Sequence, residues 1–320
     1  MNSVKVFAAK ELLDLRRNRV VWILAACLSI AVLVSVVVAS LAYRTQVTDY
    51  RAYVDALAAS GSAVVPAAPQ LYPLTLLRGA IEYLEIIGAL FAVVVGYATI
   101  AREKSRGTML LILTRAGGAK VFIAGKLVGL GVFWALLSIG LILVSALSLA
   151  LVGSAGLGAS AWGRLGIAAV AAWLYLMFWT ALAAGVTAFL KRPSTALVLM
   201  LGVWLLVVLV IPQIGDTMDP DNQVPGGLFA ALAIQKSDEV AVLAHFSTYE
   251  SIRNALEASS IEKLYERITF AFLGIKDKYN QQPVALIWPA MQRYTWTVLV
   301  LVAGSFAFAL TAATRTRLQR

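Results

Sequence analysis

The sequence predicts an all-α protein embedded in a membrane. Of its 320 residues, 60% are hydrophobic and 14% are charged, which is far more apolar than a soluble globular domain. Six apolar runs are each long enough to cross a hydrocarbon core of about 30 Å, which takes roughly 20 helical residues. Because backbone groups in lipid need partners within their own segment, each run is predicted to be a helix. The runs lie at about 20–42, 80–101, 127–152, 165–190, 195–214 and 292–313.

The distribution of charge predicts that both termini are cytoplasmic. With the N-terminus inside, the inner segments hold 16 of the 27 basic residues and three of the 17 acidic residues. Basic excess on short loops marks the cytoplasmic side, and here it leaves about +13 inside and about −3 outside. The net charge of +10 is therefore expected to face anionic lipid and a cytoplasmic partner, and not nucleic acid.

The first segment, residues 1–19, is predicted to form an amphipathic elbow helix on the inner membrane surface. Its role is either a membrane anchor or an elbow that senses a partner's motion. The long polar stretch before the first span favours a retained helix over a cleaved signal peptide. The apolar stripe of this helix comprises Val4, Phe7, Ala8, Leu12 and Leu15, and the basic residues Lys5, Lys10, Arg16 and Arg17 lie largely elsewhere.

The remaining segments follow from the positions of the spans. Helices 1 to 5 occupy residues 20–211, with an outer loop at 43–79 in which Tyr50 to Ala59 could form a short helix. A basic cytoplasmic loop lies at 102–120, and Pro193 ends a helix in the tight inner turn 191–194. Two segments complete the chain: a helical extracytoplasmic cap at 212–291, and the sixth span with a basic cytoplasmic tail at 292–320.

Two S-x-x-E capping boxes predict helix starts in the cap. They are Ser247 with Glu250 and Ser259 with Glu262. The second precedes an apolar stripe at helical spacing, which predicts an amphipathic helix at the outer surface or within a small outer domain. The stripe consists of Ile261, Leu264, Tyr265, Ile268, Phe272 and Ile275.

The sequence shows no constellation for catalysis or for binding ATP. Cys27 is the only cysteine and His245 the only histidine, so neither a cysteine metal site nor a hydrolytic triad can be assembled. The "GKL" at 125–127 lacks the hydroxyl residue and the first glycine of a phosphate-binding loop. The chain is therefore predicted to be a non-catalytic subunit without cofactor or metal, and any ATP that drives it must bind to another chain.

Two further features leave alternatives open. Arg78, Glu82 and Glu85 lie at the outer end of the second span, either as a partly neutralised interfacial cluster or as a polar patch facing a substrate path or partner. Gly125 and Gly129 form a small-xxx-small pair, which favours packing within the chain over a dimer contact.

The basic loop and the N-terminus carry a resemblance to a known family. The loop "REKSRGTMLLIL" with "GK" at 125–126, and the start "AAKELLDLRRNRVVW", resemble ABC-2 type permeases of ATP-binding-cassette transporters. "GVWLLVVLVIPQIGD" in the fifth span is similar to the subgroup that includes the permease of the nitrous-oxide-reductase maturation transporter. The matching positions are Glu103, Gly107, Thr108, Leu110, Leu111, Gly125 and Lys126 in the loop, and Lys10, Glu11, Arg17, Asn18 and Arg19 near the start.

This resemblance implies an exporter subunit in the inner (cytoplasmic) membrane that pairs with a second permease copy. A coupling helix in the loop would dock on a cytoplasmic ATPase that binds ATP and Mg, and the turn at Lys191 and Arg192 and the elbow would be further contact surfaces. The substrate is either exported, or ATP-driven motion is relayed to an extracytoplasmic protein. The residues expected to couple the two subunits are Glu103, Arg106, Gly107, Thr108, Met109, Leu110, Lys191 and Arg192, with Lys10, Glu11, Arg16 and Arg17 in the elbow.

Two alternatives remain at this level. The loop could be a positively charged, membrane-facing turn with no partner. The whole chain could instead be a membrane scaffold or an enzyme whose active region lies in the outer cap. Association with an ATPase subunit distinguishes both from the permease interpretation.

Overall fold

The computed structural model describes residues 3–60, 72–105, 118–152, 157–219, 228–245, 247–314 and 318. These residues are helical throughout their regular structure and contain no strand, which confirms the predicted all-α class. The helices are α1 (Ser3–Arg17), α2 (Arg19–Ala59), α3 (Pro73–Ser105), α4 (Gly118–Leu151), α5 (Ala159–Phe189), α6 (Pro193–Thr217), α7 (Leu228–Ala231), α8 (Lys236–His245), α9 (Ser247–Ser259), α10 (Ile261–Leu273) and α11 (Val284–Ala312).

Six of these helices are long and apolar enough to cross a membrane, as predicted: α2, α3, α4, α5, α6 and α11. Helix α2 is much longer than the predicted span, with 41 residues. Its sequence contains neither glycine nor proline before Gly61, so no residue interrupts the helix where the apolar run ends. The predicted short helix from Tyr50 to Ala59 is therefore not separate, because it continues α2.

Two spanning helices depart locally from α-helical geometry. Helix α3 opens with a 3₁₀ turn at Pro73–Leu77 and has a π-helical turn at Leu84–Gly88. Helix α6 has a π-helical turn at Leu205–Val210. Such turns displace backbone hydrogen bonds, and the hydroxyl of Ser260 donates to the Val207 carbonyl at 2.8 Å. The amide of Ile211 donates to the Leu206 carbonyl and Pro212 has no amide hydrogen, so the Ser260 hydroxyl gives the Val207 oxygen a donor that these two residues of the helix do not supply.

The chain divides into two compact units, and several helices contribute to both. The first unit comprises Met1–Phe91, Gly125–Trp173 and Ile268–Gln292. The second comprises Ala92–Ala124, Leu174–Arg267 and Arg293–Arg320.

Small residues permit close helix packing in the first unit. A Cβ atom at Gly79 of α3 would collide with the Ser35 side chain of α2, so these helices touch at a glycine. The rings of Phe91 in α3 and Trp134 in α4 meet edge to face at 5.0 Å. The indole of Trp173 in α5 donates to the Gly131 carbonyl of α4 at 2.8 Å.

A buried arginine holds the connection between α10 and α11 in the first unit. Arg164, in the second turn of α5, is 2% exposed. Its guanidinium donates to the carbonyl of Phe272 at 2.9 Å and to that of Gln282, and lies 5.7 Å from the ring of Tyr72. Gly274 has a φ of +68° in this connection, a conformation that favours glycine. Main-chain oxygens here accept hydrogen bonds from a buried cation.

The second unit also relies on close contacts at glycines. A Cβ atom at Gly96 of α3 would overlap the backbone of Thr180 in α5, whose hydroxyl donates to the Ala92 carbonyl at 3.4 Å. Gly185 of α5 lies against Phe308 of α11 in the same way. The rings of Tyr175 in α5 and Tyr265 in α10 stack at 4.8 Å, so the cap helix packs directly on a span.

The cap is helical, as predicted, and one of its two predicted helix starts is wrong. Helix α9 begins at Ser247, in agreement with the first capping box. Ser259 instead ends α9, and its hydroxyl donates back to the Leu256 carbonyl at 2.6 Å. A hydroxyl engaged in the preceding turn does not cap the next helix, and α10 begins at Ile261. The predicted stripe is buried at Ile261, Leu264, Tyr265, Ile268 and Phe272, and partly buried at Ile275.

Gly129→Ala is expected to weaken the packing of α1 against α4, because the added carbon would lie 2.8 Å from the Ala8 carbonyl oxygen. Gly140→Ala is the matched control in the same helix, where nothing lies within 4 Å of the added carbon. Hydrogen–deuterium exchange of residues 3–17 should rise by about tenfold in the first variant and stay unchanged in the second. Equal exchange in both variants would contradict this packing.

Candidate functional site

The predicted coupling residues fall in regions with very different environments. Arg106, Gly107, Thr108, Met109 and Leu110 lie outside the described residues. Of the others, the side chain of Glu103 is buried near the end of α3, at 6% exposure. Lys191 and Arg192 are exposed in the turn between α5 and α6.

In the first unit, the N-terminal helix α1 packs on the start of α4 at two glycines. A Cβ atom at Gly125 would collide with the Phe7 side chain and lie 2.9 Å from the Val4 carbonyl oxygen. Gly129, one turn further, faces Ala8 and Glu11. The interpretation of the glycine pair as packing within the chain is therefore confirmed, and its partner is α1.

A buried ion pair lies at this contact. The ammonium of Lys126 is 2.5 Å from a carboxylate oxygen of Glu11, and the two side chains are 3% and 0% exposed. A buried charge is tolerated when it is paired, and breaking such a pair leaves an uncompensated charge among apolar groups. The pair therefore fixes the position of α1 on α4. It also joins two motifs that the sequence presents 115 residues apart.

The exposed side of α1 carries the other elbow residues. Lys10, Arg16 and Arg17 are exposed, together with the apolar side chains of Val6 and Leu13. The predicted apolar stripe packs within the protein, since Ala8 and Leu15 are buried and Phe7 lies against α4. The exposed face of α1 is thus the opposite one, with basic residues beside Val6 and Leu13.

In the second unit, the end of α3 is attached to the end of α5. The ammonium of Lys104 donates to three carbonyl oxygens: those of Thr187 at 3.0 Å, Ala188 at 3.3 Å and Leu190 at 2.8 Å. Lys104 is followed by Ser105, the last residue of α3, and the coupling helix is predicted after Arg106. The exposed basic turn follows Leu190 directly.

The predicted outer cluster separates into an exposed pair and a buried acid. Arg78 and Glu82 form an exposed ion pair at 2.9 Å, and the Arg78 guanidinium also lies 5.7 Å from the ring of Phe270. Glu85, in the π-helical turn, is 4% exposed. Of the three predicted residues, Arg78 and Glu82 therefore share an exposed polar surface and Glu85 does not.

In the second unit, ion pairs connect the cap to the C-terminal end of α6. Arg253 of α9 pairs with Asp219 at 3.0 Å, and Lys263 of α10 pairs with Asp216 at 3.3 Å. Arg267 binds the carboxylate of Glu257, and its guanidinium donates to the hydroxyl of Tyr294 in α11 at 3.1 Å. These contacts link two cap helices to two spans.

One lysine of this network has a shifted pKa. Burial alone would lower the pKa of Lys263, but the carboxylates of Glu266, Glu262 and Asp216 outweigh burial and raise the pKa above its usual range. A raised lysine pKa means that its stabilisation is present at neutral pH and is lost only as the pH rises through the folded-state pKa. The raised pKa therefore means that Lys263 keeps its positive charge at neutral pH.

Comparison with known proteins identifies the family. Residues 6–319 match the ABC-2 family transporter proteins. This chain belongs to that family. A protein of Stutzerimonas stutzeri, described as "Probable ABC transporter permease protein NosY", is 32% identical over 217 residues, which cover 66% of this chain and 68% of the relative. The resemblance drawn from the loop and the N-terminus is thus confirmed, and the chain is the multi-pass membrane component of an ABC transporter.

Two lysines of this ABC-2 family member have structural roles that the sequence did not reveal. Lys126 was recognised as part of a Gly-Lys motif, without its partner Glu11. Lys104 was counted only as a cytoplasmic charge. In each case the available signal was a lysine at the end of an apolar helix, where an unpartnered charge is costly.

Lys126→Met is expected to destabilise the protein by about 3 kcal/mol, because it leaves the Glu11 carboxylate buried without its counter-charge. The double variant Glu11→Leu/Lys126→Met should recover most of that loss, since an apolar pair of similar volume replaces the ion pair. Thermal unfolding in mild detergent, followed by tryptophan fluorescence, measures the difference. Lys120→Met, at an exposed position in the same helix, is the control. Additive effects of the two substitutions would show that the charges do not interact.

Proposed function

We propose that this chain couples ATP hydrolysis by a separate cytoplasmic ATPase to movement of its spanning helices. ATP and Mg²⁺ would bind to that ATPase, and this chain would contribute no catalytic residue. The observation that carries the proposal is the fixed position of both helices flanking the basic loop. Lys104 attaches the end of α3 to α5, and Lys126 attaches the start of α4 to α1. A loop between two such helices would transmit displacement to them instead of absorbing it.

The loop contains both charged and apolar side chains, a combination that suits binding to a protein partner. Arg106 and its neighbouring charges would fix the register of a short coupling helix in a groove of the ATPase, with Thr108 or Ser105 capping it. Met109 and Leu110 would provide the apolar contact that bears force. Lys191, Arg192 and the exposed basic residues of α1 would be further surfaces for the ATPase or for anionic lipid.

On the outer side, the ion pairs of the cap support transmission of motion. Arg253 and Lys263 hold α9 and α10 to the end of α6, and Ser260 contacts the π-helical turn of that span. Movement of α6 would therefore carry the cap with it. The ATP-driven step would either export a substrate or move an extracytoplasmic protein bound to the cap.

The assembly would contain a second copy of this chain in the inner membrane. The helix α6 leaves large apolar side chains exposed, among them Val198 at 70% and Leu206 at 51%. Such a surface requires either lipid or another apolar surface. Pairing of two permeases would let two ATPase subunits act on one transport path. The competing function, a scaffold or enzyme based in the cap, needs no ATPase.

The proposed orientation predicts which surfaces a membrane-impermeant thiol reagent reaches. In a Cys27→Ala background, Ala255→Cys in the cap is expected to be labelled in intact spheroplasts. Lys5→Cys in α1 should be labelled only after the membrane is opened. Both native residues are exposed, so accessibility within the protein does not decide the result. Labelling of Lys5→Cys from outside would reverse the orientation.

The proposed function predicts that the tagged chain, purified in mild detergent, carries an ABC-type ATPase identifiable by mass spectrometry. Arg106→Ala is expected to weaken this association by about tenfold, as loss of an interface arginine commonly does. Measurement of ATPase bound at several concentrations gives the affinity.

Arg51→Ala is the matched control for this experiment. Arg51 is exposed on α2 and lies on the predicted outer side, so the same change of charge should leave the affinity for the ATPase unaltered. Equal loss in both variants would point to a general charge effect. A chain that never associates with an ATPase would contradict the permease mechanism and favour the scaffold or enzyme.

A further inference from the structure

The turn between α5 and α6 leaves carbonyl groups without helical donors. In a continuing helix, the amides of Lys191 and Arg192 would donate to the carbonyls of Thr187 and Ala188. Pro193 disfavours helical geometry at the preceding residue, and Arg192 is extended with φ −99° and ψ 118°. Helix α5 therefore ends at Phe189. Its last carbonyls require donors from elsewhere.

Lys104 supplies these donors from another helix. An ammonium has three N–H groups, and the three oxygens of Thr187, Ala188 and Leu190 lie 2.8–3.3 Å from the nitrogen of Lys104. Its positive charge also lies at the C-terminus of α5, where the helix dipole favours a cation. Geometry and electrostatics therefore agree: Lys104 caps the end of α5.

We propose that Lys104 is a positioning residue that fixes the end of α3 to the basic turn Lys191–Arg192, so that the ATPase meets these two segments in one fixed arrangement. This inference rests on the proposed function. Lys104 lies two residues before Arg106, and its acceptor Leu190 directly precedes Lys191. The hydrogen bonds therefore join the beginnings of two segments that are far apart in the chain, since Arg106 and Lys191 are separated by 85 positions.

A surface held in this way binds with a smaller loss of conformational freedom. If the end of α3 and the turn moved independently, the ATPase would have to order each of them on binding, at a cost in affinity. With Lys104 in place, a push on the loop also displaces the ends of α3 and α5 together. The lysine would thus act on binding and on coupling without touching the ATPase.

The first test examines the capping of α5 by Lys104, in the full-length chain without ATPase. Lys104→Met removes the three donors and keeps a side chain of similar length. Hydrogen–deuterium exchange of amides in residues 186–192 is expected to rise by about tenfold, because the end of α5 frays. Lys104→Arg retains charge and donors and should restore most of the protection. Unchanged exchange in Lys104→Met would show that Lys104 does not cap the end of α5.

The second test measures the affinity for the co-purified ATPase. Lys104→Met should weaken it by about tenfold, and Lys104→Arg should recover most of the affinity. Lys278→Met, which removes an exposed lysine on the predicted outer side, is the matched control and should bind normally. Rescue by arginine separates positioning from damage to the fold. Lys104→Gln, which keeps two donors, replaces the methionine variant if that variant does not survive purification, with an intermediate effect expected.

The outcomes separate this inference from the function on which it rests. If the wild type binds an ATPase and Lys104→Met binds it equally well, the positioning role is wrong while the proposed function stands. If the wild type binds no ATPase, the proposed function fails, and the positioning role fails with it. Faster exchange together with weaker binding, both reversed by Lys104→Arg, supports the inference.

Discussion

A charge placed among apolar helices must be provided with partners by the protein, and the cytoplasmic-side architecture proposed for this chain depends on how it meets that requirement. Glu11 and Lys126 neutralise each other where α1 packs on α4. Lys104 has carbonyl oxygens in place of a carboxylate. In both cases the lysine extends from one helix to another. The groups that would be most costly to bury alone therefore become the groups that set helix positions.

Glycine makes the first of these arrangements possible. The ammonium of Lys126 reaches the Glu11 carboxylate because Gly125 and Gly129 allow α1 to approach the α4 backbone closely. A larger residue at either position would hold the helices apart and lengthen the ion pair. Packing and electrostatics thus depend on each other at this joint. This explains why the Lys-Glu and Gly-Lys segments have to be considered together, although they are far apart in the sequence.

The number of spans and the fold class followed from apolar length, because lipid leaves the backbone few alternatives to the helix. Helix ends were less predictable. The length of α2 depended on the absence of glycine and proline in a polar segment. The start of α10 depended on the Ser259 hydroxyl, which donates to the Leu256 carbonyl of the preceding helix and so does not cap the next one. The predicted stripe of α1 was buried, but against α4, since periodicity identifies an apolar face and not what covers it. Pairings such as Glu11 with Lys126 require the tertiary structure. The roles of Arg106 to Leu110 stay predictions from the family resemblance, because these residues lie outside the described part of the chain.

The length of α2 has a mechanical consequence. At about 1.5 Å per residue its 41 residues extend for roughly 60 Å, about twice the thickness of a hydrocarbon core of roughly 30 Å. If residues 20–42 cross the membrane as predicted, residues 43–59 continue the helix for about 25 Å beyond the span. A tilt of about 10° within the membrane would then displace the far end by about 4 Å. The first span would thus act as a lever arm, in which a small rotation among the packed helices becomes a translation of several ångströms at the far end.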